Sequence, residues 1–405
     1  MHVLISLLGM ATLLLLAFAL SENRSQINWR TILVAFAAQL GLGALVLYSS
    51  WGRSALKHLS DGVYSVIGYG RAGIEFMFGG LSGDSVGFIF AFNVLPVVVF
   101  FASFVSVLYY LGIMQWVIRL LGGALRFLLN TSRAESLSAT ANIFVGHTEA
   151  PMVVKPYLPT MTRSELFAVM VGGLSTVAGS VLAGYVGLGV ELKYLLAASF
   201  MAAPGGFLMA KLMVPETETP RDDLAIAEDS EGNANVFDAA ATGASNGMKM
   251  AANIGAMLLA FISLIAMVNG MLAVVGGWLG MDYLSMQWVL GGIFRPLAFL
   301  LGVPWEETRI VGSLIGQKLV LNEFVAFIDL AAQRDALSAR SEAIASFALC
   351  GFANFGSLAV LLGGFATLAP TRRAEVASMG LKAVFAGFFA NMMSAAIASI
   401  FIVSV

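Results

Sequence analysis

The stretch that decides the fold is Asn142-Ile-Phe-Val-Gly-His-Thr-Glu-Ala-Pro151, which carries amide, imidazole, hydroxyl and carboxyl groups close together. It is followed by Arg163-Ser164-Glu165 and then by an uncharged, glycine-rich run at residues 166–190. Polar side chains are costly in hydrocarbon, so a group of them beside such a run indicates a functional site inside a membrane.

The same pattern returns in the second half of the chain. Gly316-Gln317 and Asn322-Glu323 are followed by Arg340-Ser341-Glu342, and then by an uncharged run at residues 343–371. Two polar groups at corresponding points of two repeats predict one shared polar site between them. Its carboxylates, Glu149 and Glu323, are expected to be buried there.

Composition fixes the class of protein. The 405 residues are 59% hydrophobic and only 11% charged, whereas soluble domains contain about 25% charged residues. The chain is therefore an integral membrane protein. No short alternating strands occur, so a helical bundle is favoured over a barrel. Uncharged runs of about 20 residues or more, enough to cross a bilayer as helices, lie at residues 31–52, 85–118, 250–281 and 383–405.

Several function classes are excluded or disfavoured. The net charge of −2 gives no reason to expect nucleic-acid binding. Cys350 is the only cysteine, which rules out an intramolecular disulfide and a cysteine-rich metal site. His2, His58 and His147 are too far apart in sequence to form a local metal-binding motif.

The remaining segments have distinct characters. Residues 3–20 are expected to be a retained helix rather than a cleaved signal peptide, because no basic segment precedes them. Asn93 and Pro96 interrupt the span at residues 86–113 and predict a kink. Three polar segments complete the chain: an amphipathic stretch at residues 51–84, an interfacial helix at 115–129 and an acidic loop at 215–238.

The two glycine-rich runs predict re-entrant hairpins at residues 166–190 and 343–371. An uninterrupted helix would lose roughly 1 kcal/mol per glycine relative to alanine, and two half-helices joined by a turn avoid much of that loss. They also expose helix ends at mid-membrane depth. The alternative is a close-packed span that uses small residues at a helix interface.

The predicted fold is an all-α integral membrane protein with about eight transmembrane helices, two re-entrant helical hairpins in inverted repeats, and interfacial helices. Its predicted division is an N-terminal scaffold with interfacial helices at residues 1–130, a first transport repeat at 131–214, an acidic loop with scaffold helices at 215–304, and a second transport repeat at 305–405.

Four motifs resemble the concentrative nucleoside transporters, in the family's order. They are the Asn142–Pro151 stretch, Ser164-Glu165-Leu-Phe-Ala168, Gly316-Gln317-Lys318 with Asn322-Glu323-Phe324, and Gly351-Phe352-Ala-Asn354-Phe355 with Ser357. The resemblance runs from about residue 30 to the C-terminus. It implies a homotrimer in the bacterial inner membrane, in contact with membrane lipids, whose mobile part moves like an elevator and imports nucleosides such as uridine, cytidine or adenosine.

The resemblance also assigns residues to the substrate. The first repeat would face the nucleobase and the second would bind the ribose, which suits a carboxylate that accepts from hydroxyl groups. A competing interpretation pairs Glu149 with Lys155 and Glu323 with Lys318 as structural ion pairs. The residues implied for the nucleobase are His147, Thr148, Glu149 and Val181, and those implied for the ribose are Glu323, Phe352, Asn354 and Ser357.

Sodium is the coupling ion that the resemblance implies. Backbone carbonyls and the Thr176 hydroxyl are hard oxygen ligands, and threonine keeps the hydroxyl where relatives have serine. Proton coupling through Glu149 or His147 stays open as a rival mechanism. The ligands implied for sodium are Asn142, Val145, Thr176 and Val177.

His147 departs from the family's Gly-Gln-Thr-Glu pattern, and this leaves the base preference open. Histidine divides donor and acceptor roles between two ring nitrogens, whereas glutamine combines them in one amide. Two other classes of function compete with a transporter. An enzyme could use Glu149 and Glu323 as an acid–base pair, but no nucleophile or metal cluster accompanies them. A passive channel would need a continuous pore.

Overall fold

A computed structural model describes residues 2–83, 87–147, 149–221 and 233–402. Within those ranges the secondary structure is entirely helical, which confirms the predicted all-α class. Residues 222–232, the middle of the predicted acidic loop at 215–238, lie outside the described residues. Seven of the described helical segments are long and apolar enough to cross a membrane, and two shorter apolar helices accompany them.

Six helices precede the first repeat. The predicted kink is confirmed, because the helix breaks at Val94 and Pro96 lies in the first turn of the helix that follows, where its missing N–H is harmless. The six are α1 (His2–Ala19), α2 (Trp29–Leu47), α3 (Ser50–Phe78), α4 (Phe90–Asn93), α5 (Leu95–Tyr110) and α6 (Ile113–Leu129).

The first repeat begins with a short helix whose first turn is fixed by a capping box between Ser132 and Glu135. A second capping box, between Thr162 and Glu165, starts the glycine-rich segment. The helices are α7 (Arg133–Ala141), α8 (Ala150–Val153), α9 (Arg163–Ser175), α10 (Gly179–Gly187) and α11 (Leu192–Met213).

Two connecting helices, α12 (Val236–Leu279) and α13 (Met286–Leu300), lead to the second repeat. The second repeat follows the order of the first: two short helices, two helices separated by a break, and one long helix. Asparagine side chains cap two of them, Asn322 before the second helix and Asn354 before the fourth. The helices are α14 (Thr308–Val320), α15 (Glu323–Ala332), α16 (Ala339–Leu349), α17 (Phe355–Leu368) and α18 (Arg373–Phe401).

The hairpins lie at other positions than the sequence predicted. Helices α14 and α15 pack against each other across a two-residue turn, and α7 packs against α8, whereas α9 does not pack along α10, nor α16 along α17. The segment Arg163–Gly187 is instead one span of 25 residues with a break inside it. The predicted hairpins at 166–190 and 343–371 are therefore interrupted helices.

Helix length explains this correction. With 9 and 13 residues, α7 and α14 reach only about 13 and 20 Å, less than the roughly 30 Å hydrocarbon core. Glycine indicates a break in a helix, but a helix breaks both at a hairpin turn and inside an interrupted membrane-spanning helix. The glycine pattern alone therefore could not distinguish the two arrangements.

The helices of residues 1–130, predicted as an N-terminal scaffold, pack on different parts of the chain as well as on one another. Helices α1 and α2 pack on α18 and α11 of the repeats, whereas α3 and α12 pack on α5. Glu22, in the loop between α1 and α2, accepts hydrogen bonds from Arg163 at 3.0 Å and from Lys382 at 2.9 Å. The bond from Arg163 is the main reason why the pKa of Glu22 falls to about 2. The α1–α2 pair is thus tied to both repeats.

Glycines bring α12 and α5 into close contact. Gly243 and Gly247 are four residues apart on α12 and face the backbone of α5 at Ser103 and Val99. Small residues at this spacing allow helix backbones to approach in a membrane. This contact holds α12 against α5.

We expect Gly247→Leu to separate α12 from α5, because a Cβ at this position would lie 2.8 Å from the Cα of Val99. Overpacking of this kind costs about 1–3 kcal/mol, so the melting temperature of the purified protein should fall. Gly270→Leu on the same helix is the control, since among the described residues a Cβ there meets nothing within 4 Å. Equal melting temperatures for the two variants would contradict the close contact.

Candidate functional site

The site begins where the first hairpin meets the first interrupted helix. We call residues 142–149, described except for Thr148, the first tip, and residues 176–178 the first break. The backbone N–H of Gly179 donates to the carbonyl of Phe144 across this contact (N···O 2.9 Å). Gly173 also lies against the tip, and a Cβ on it would approach the His147 Cβ to 2.7 Å. Glycine therefore lets the tip reach the break.

The residues implied for sodium are divided between these two segments. Asn142 and Val145 lie in the first tip, and Thr176 and Val177 lie in the first break. All four are buried. The contact between tip and break brings the two pairs to the same region of the structure.

Two polar groups in this region suit a hard cation. The Oδ1 atom of Asn142 is buried and has no hydrogen-bond partner within the described structure. The Thr176 hydroxyl donates its proton to the carbonyl of Gly172 (O···O 2.9 Å), which leaves its lone pairs free to face a cation. Both oxygens therefore have lone pairs available, and oxygen atoms are the ligands that a hard cation such as sodium prefers.

His147 joins the first tip to the second repeat. Its ring meets the edge of the Phe352 ring with centroids 4.9 Å apart. Both ring nitrogens are buried and lack a partner among the described residues. A histidine in this position has one donor and one acceptor available for a ligand. Its neighbour Thr148, also predicted for the site, lies outside the described residues.

The two predicted carboxylates differ in environment. Glu323 is buried, with 4% of its surface exposed. Glu149 is exposed, and its Oε2 accepts from the backbone N–H of Gly146 (3.3 Å). Of the two carboxylates predicted to be buried, Glu323 is therefore buried in the single chain and Glu149 is exposed.

Glu323 is the centre of a hydrogen-bonded group contributed by both repeats. Its Oε1 accepts from the Tyr185 hydroxyl (3.1 Å), and its Oε2 accepts from Asn354 Nδ2 (2.9 Å). Asn354 Oδ1 in turn accepts from the backbone N–H of Ser357 at the start of α17 (2.7 Å). A carboxylate has about four acceptor positions, so Glu323 retains capacity for hydroxyl groups of a ligand.

The ion-pair interpretation of Glu323 does not describe the structure. Lys318 is fully buried, and its Nζ donates to the Ala348 carbonyl and to Asn391 Oδ1, both at 2.7 Å. Glu323 is satisfied by Tyr185 and Asn354 instead. The lysine and the glutamate therefore have separate hydrogen-bonding roles.

The structure also gives the positions of the two apolar residues predicted for the site. Phe352 follows the end of α16 and is 8% exposed. Val181 lies in the first turn of α10 and is almost fully buried in the hydrophobic core. Phe352, through its contact with His147, can form an apolar wall between the two halves of the site.

Sequence reasoning missed two residues. Tyr185 lies in the glycine-rich run and donates to Glu323, and Asn391 lies in the apolar run 383–405 and bonds to three other residues. A polar side chain inside an apolar membrane span by itself indicates a position in the interior of the bundle with a functional role. That signal was present for Asn391 in the sequence.

The arrangement suits binding rather than bond-breaking chemistry. It offers acceptors for hydroxyl groups, donor and acceptor nitrogens, and an apolar wall. Within the described ranges, no group of three or more His, Cys, Asp or Glu side chains could hold a metal ion. The geometry is that of a small polar ligand site between two repeats.

Family comparisons match consecutive parts of the chain. "Na+ dependent nucleoside transporter N-terminus" matches residues 8–81, "Nucleoside recognition" matches 91–191, and "Na+ dependent nucleoside transporter C-terminus" matches 194–399.

Similar proteins align over nearly their whole length. An "Uncharacterized transporter" from Haemophilus influenzae is 55% identical, with 99% of this chain and 98% of that protein covered. The "Nucleoside permease NupC" from Helicobacter pylori is 50% identical, with 98% of each covered. The "Putative nucleoside permease NupX" from Escherichia coli is 43% identical, with 99% of each covered.

Solved structures agree with the sequence relatives. CNTnw in an inward-facing, substrate-bound state superposes with a TM-score of 0.95 at 55% identity, covering 99% of this chain and 98% of that one. An outward-facing CNTnw variant superposes equally well, with a TM-score of 0.95 at 54% identity over the same shares. These matches confirm the resemblance found in the sequence: the chain is a multi-pass plasma-membrane transporter, not an enzyme, and it belongs to the concentrative, Na+ dependent nucleoside transporter family.

Proposed function

We propose that this chain imports nucleosides by sodium symport, with alternating access of the elevator type. The observation that carries the proposal is the direct link between its two candidate sites. The backbone N–H of Phe352, beside the proposed ribose site, donates to the carbonyl of Thr176 in the proposed sodium site (N···O 3.0 Å). An ion bound at one site would therefore order the backbone of the other.

The ribose is assigned to the second repeat. Glu323 and Asn354 are already oriented by one hydrogen bond to each other, so they are organised before a ligand arrives. Their remaining acceptor and donor positions match the 2′- and 3′-hydroxyl groups of a ribose, and Ser357 stands at the same helix start. Phe352 would cover the apolar face of the sugar.

The nucleobase is assigned to the first repeat, with His147, Thr148, Glu149 and Val181 around it. The ring nitrogens of His147, which have no partner in the described part of the chain, support this assignment, because base edges carry both donors and acceptors. Uridine, cytidine and adenosine are the ligands that such a site would distinguish.

Sodium is assigned to the contact between the first tip and the first break. Its proposed ligands are the backbone carbonyls of Asn142, Val145, Thr176 and Val177 with the Thr176 hydroxyl. Asn142 Oδ1, which lacks a hydrogen-bond partner within the described ranges, lies in the same region and supports a cation. The family's Na+ dependence supports sodium over protons, and protons relayed by Glu149 or His147 are the second candidate.

The packing of the helices supports an elevator movement. One group contains α1, α2 and the two repeats, and the other contains α3, α5 and α12. The two groups touch where α3 meets α2 and α11 and where α5 meets α10. We assign the first group to the mobile part and the second to the stationary part of a homotrimer. Many large apolar residues of α12 are exposed in the single chain and would be covered by other subunits or by lipid.

Proteoliposomes would test the transport cycle. Labelled uridine should accumulate above equilibrium when an inward sodium gradient is imposed at constant pH. A proton gradient alone should give only equilibration. Accumulation under the proton gradient and not under the sodium gradient would favour the second candidate, and equilibration under both would identify a passive pathway.

Glu323→Gln should weaken uridine binding by roughly tenfold to a hundredfold. The change replaces one acceptor oxygen by a donor and removes a charge-assisted hydrogen bond worth about 1.5–3 kcal/mol. Isothermal titration calorimetry on the purified protein measures the change. Glu75→Gln, in an exposed ion pair with Arg71, is the control and should leave the affinity unchanged. Unaltered uridine binding by Glu323→Gln would remove this residue from the site.

Thr176→Val should raise the sodium concentration that gives half-maximal uptake. The side chain keeps its shape but loses the proposed ligand oxygen, while the maximal rate at saturating sodium is retained. Thr367→Val is a matched control, because its hydroxyl also donates to the carbonyl four residues earlier but lies on an exposed face of α17. An unchanged sodium dependence in the Thr176 variant would contradict the proposed ligand.

His147→Gln should change the order of preference among bases. One amide combines the donor and acceptor that the imidazole separates, so uptake ratios for uridine, cytidine and adenosine should shift several-fold, about 1 kcal/mol. The ratio of uridine to 2′-deoxyuridine uptake should stay constant, since the second repeat is assigned to the ribose. Identical base ranking in parent and variant would show that residue 147 does not contact the base.

A further inference from the structure

Both interrupted helices lose helical hydrogen bonds at their breaks. We call residues 350–354 the second break. The N–H of Gly179 would reach the Ser175 carbonyl in a regular helix, but it donates to Phe144 instead. The N–H of Phe352 would likewise reach Ala348, but it donates to Thr176. With no water in the hydrocarbon region, these carbonyls need donors from elsewhere.

Asn391 supplies donors to both breaks. It lies on α18 with 1% of its surface exposed. Its Nδ2 donates to the carbonyl of Ser175 at 2.6 Å and to the carbonyl of Cys350 at 3.0 Å. The Asn391 carboxamide therefore holds both the last residue of α9 and the first residue of the second break.

Lys318 fixes the orientation of that carboxamide. An ammonium group can only donate, so the Asn391 atom that faces it at 2.7 Å must be the oxygen. The nitrogen is then left to face the two carbonyls. Lys318 also donates to the Ala348 carbonyl, at 2.7 Å. The side chains of Asn391 and Lys318 together satisfy all three carbonyls.

The surrounding packing leaves little space for independent movement. A Cβ at Gly351 would overlap the Asn391 carboxamide. One turn earlier on α18, a Cβ at Gly387 would lie 3.0 Å from Leu174 and 3.3 Å from the Cβ of Ala353. Helix α18 is thus in contact with both breaks at once, and a shift of one break must displace the other or break these hydrogen bonds.

We propose that Asn391 is a positioning residue that couples the ion site to the nucleoside site. It bonds to Ser175, which precedes Thr176, and to Cys350, which lies close to Phe352 and Asn354. It belongs to neither set of proposed ligands. The inference rests on the proposed sodium symport. When sodium binds and orders the first break, the Asn391 carboxamide transmits this order to the second break. Binding of the nucleoside orders the first break in return.

Asn391→Ala should uncouple the two ligands. The measurement is the Kd of uridine by isothermal titration calorimetry on purified full-length protein, without sodium and at saturating sodium. Couplings between sites commonly change affinity about 5- to 150-fold, and we expect sodium to lower the Kd of the parent by a factor in this range. In Asn391→Ala the factor should fall to below about threefold, while binding at saturating sodium persists.

Ser394→Ala is the matched control, because Ser394 is also buried on α18 but bonds to Gln39 and Ala390, away from both breaks. It should keep the coupling factor of the parent. Asn391→Ser retains one donor and should give an intermediate factor, and it decides the question if the alanine variant does not fold.

Two results would overturn different statements. If sodium changes the uridine Kd equally in the parent and in folded Asn391 variants, the positioning role is wrong and sodium symport stands. If sodium leaves the Kd of the parent unchanged, the proposed sodium symport itself is wrong. A loss of coupling in Ser394→Ala as large as in Asn391→Ala would assign the effect to general loosening of α18.

Discussion

The structure depends on one constraint: backbone carbonyls released by a broken helix must find donors where no water is available. The two breaks meet this constraint by exchanging hydrogen bonds with other segments, from Gly179 to Phe144 and from Phe352 to Thr176. Three further carbonyls, those of Ser175, Ala348 and Cys350, accept from the side chains of Asn391 and Lys318. The donors that stabilise each break therefore also determine which segments lie beside it.

This exchange explains why polar residues and glycines occur together in the repeats. The Phe144 carbonyl of the first tip can accept from the Gly179 N–H because Gly173 and Gly179 carry no side chain where the backbones meet. The polar groups without a partner among the described residues, such as Asn142 Oδ1 and the His147 ring nitrogens, lie at the same contact. The residues that break the helix thus lie beside those proposed to bind ligands.

The sequence predicted the all-helical membrane fold, the kink before Pro96 and the repetition of the polar motif, because each depends on local composition or spacing. It placed the hairpins wrongly, since glycine-rich runs favour a hairpin turn and a break inside a span equally. Which helices pack together is set by contacts far apart in sequence, such as that between α1 and α18, and local patterns do not encode them.

At the site, the motifs identified Glu323 and Asn354, which the structure joins by a hydrogen bond, but not Tyr185, whose hydroxyl arrives from the other repeat. The sequence suggested Lys318 as the partner of Glu323 because the two lie on adjoining helices. A buried pair of opposite charges would have consumed the acceptor capacity of the carboxylate. Lys318 donates instead to the Ala348 carbonyl and to Asn391, and the side chains that donate to Glu323 among the described residues, Tyr185 and Asn354, are neutral. Its remaining lone pairs can therefore accept the hydroxyl groups of a ligand without breaking a bond that holds the fold together.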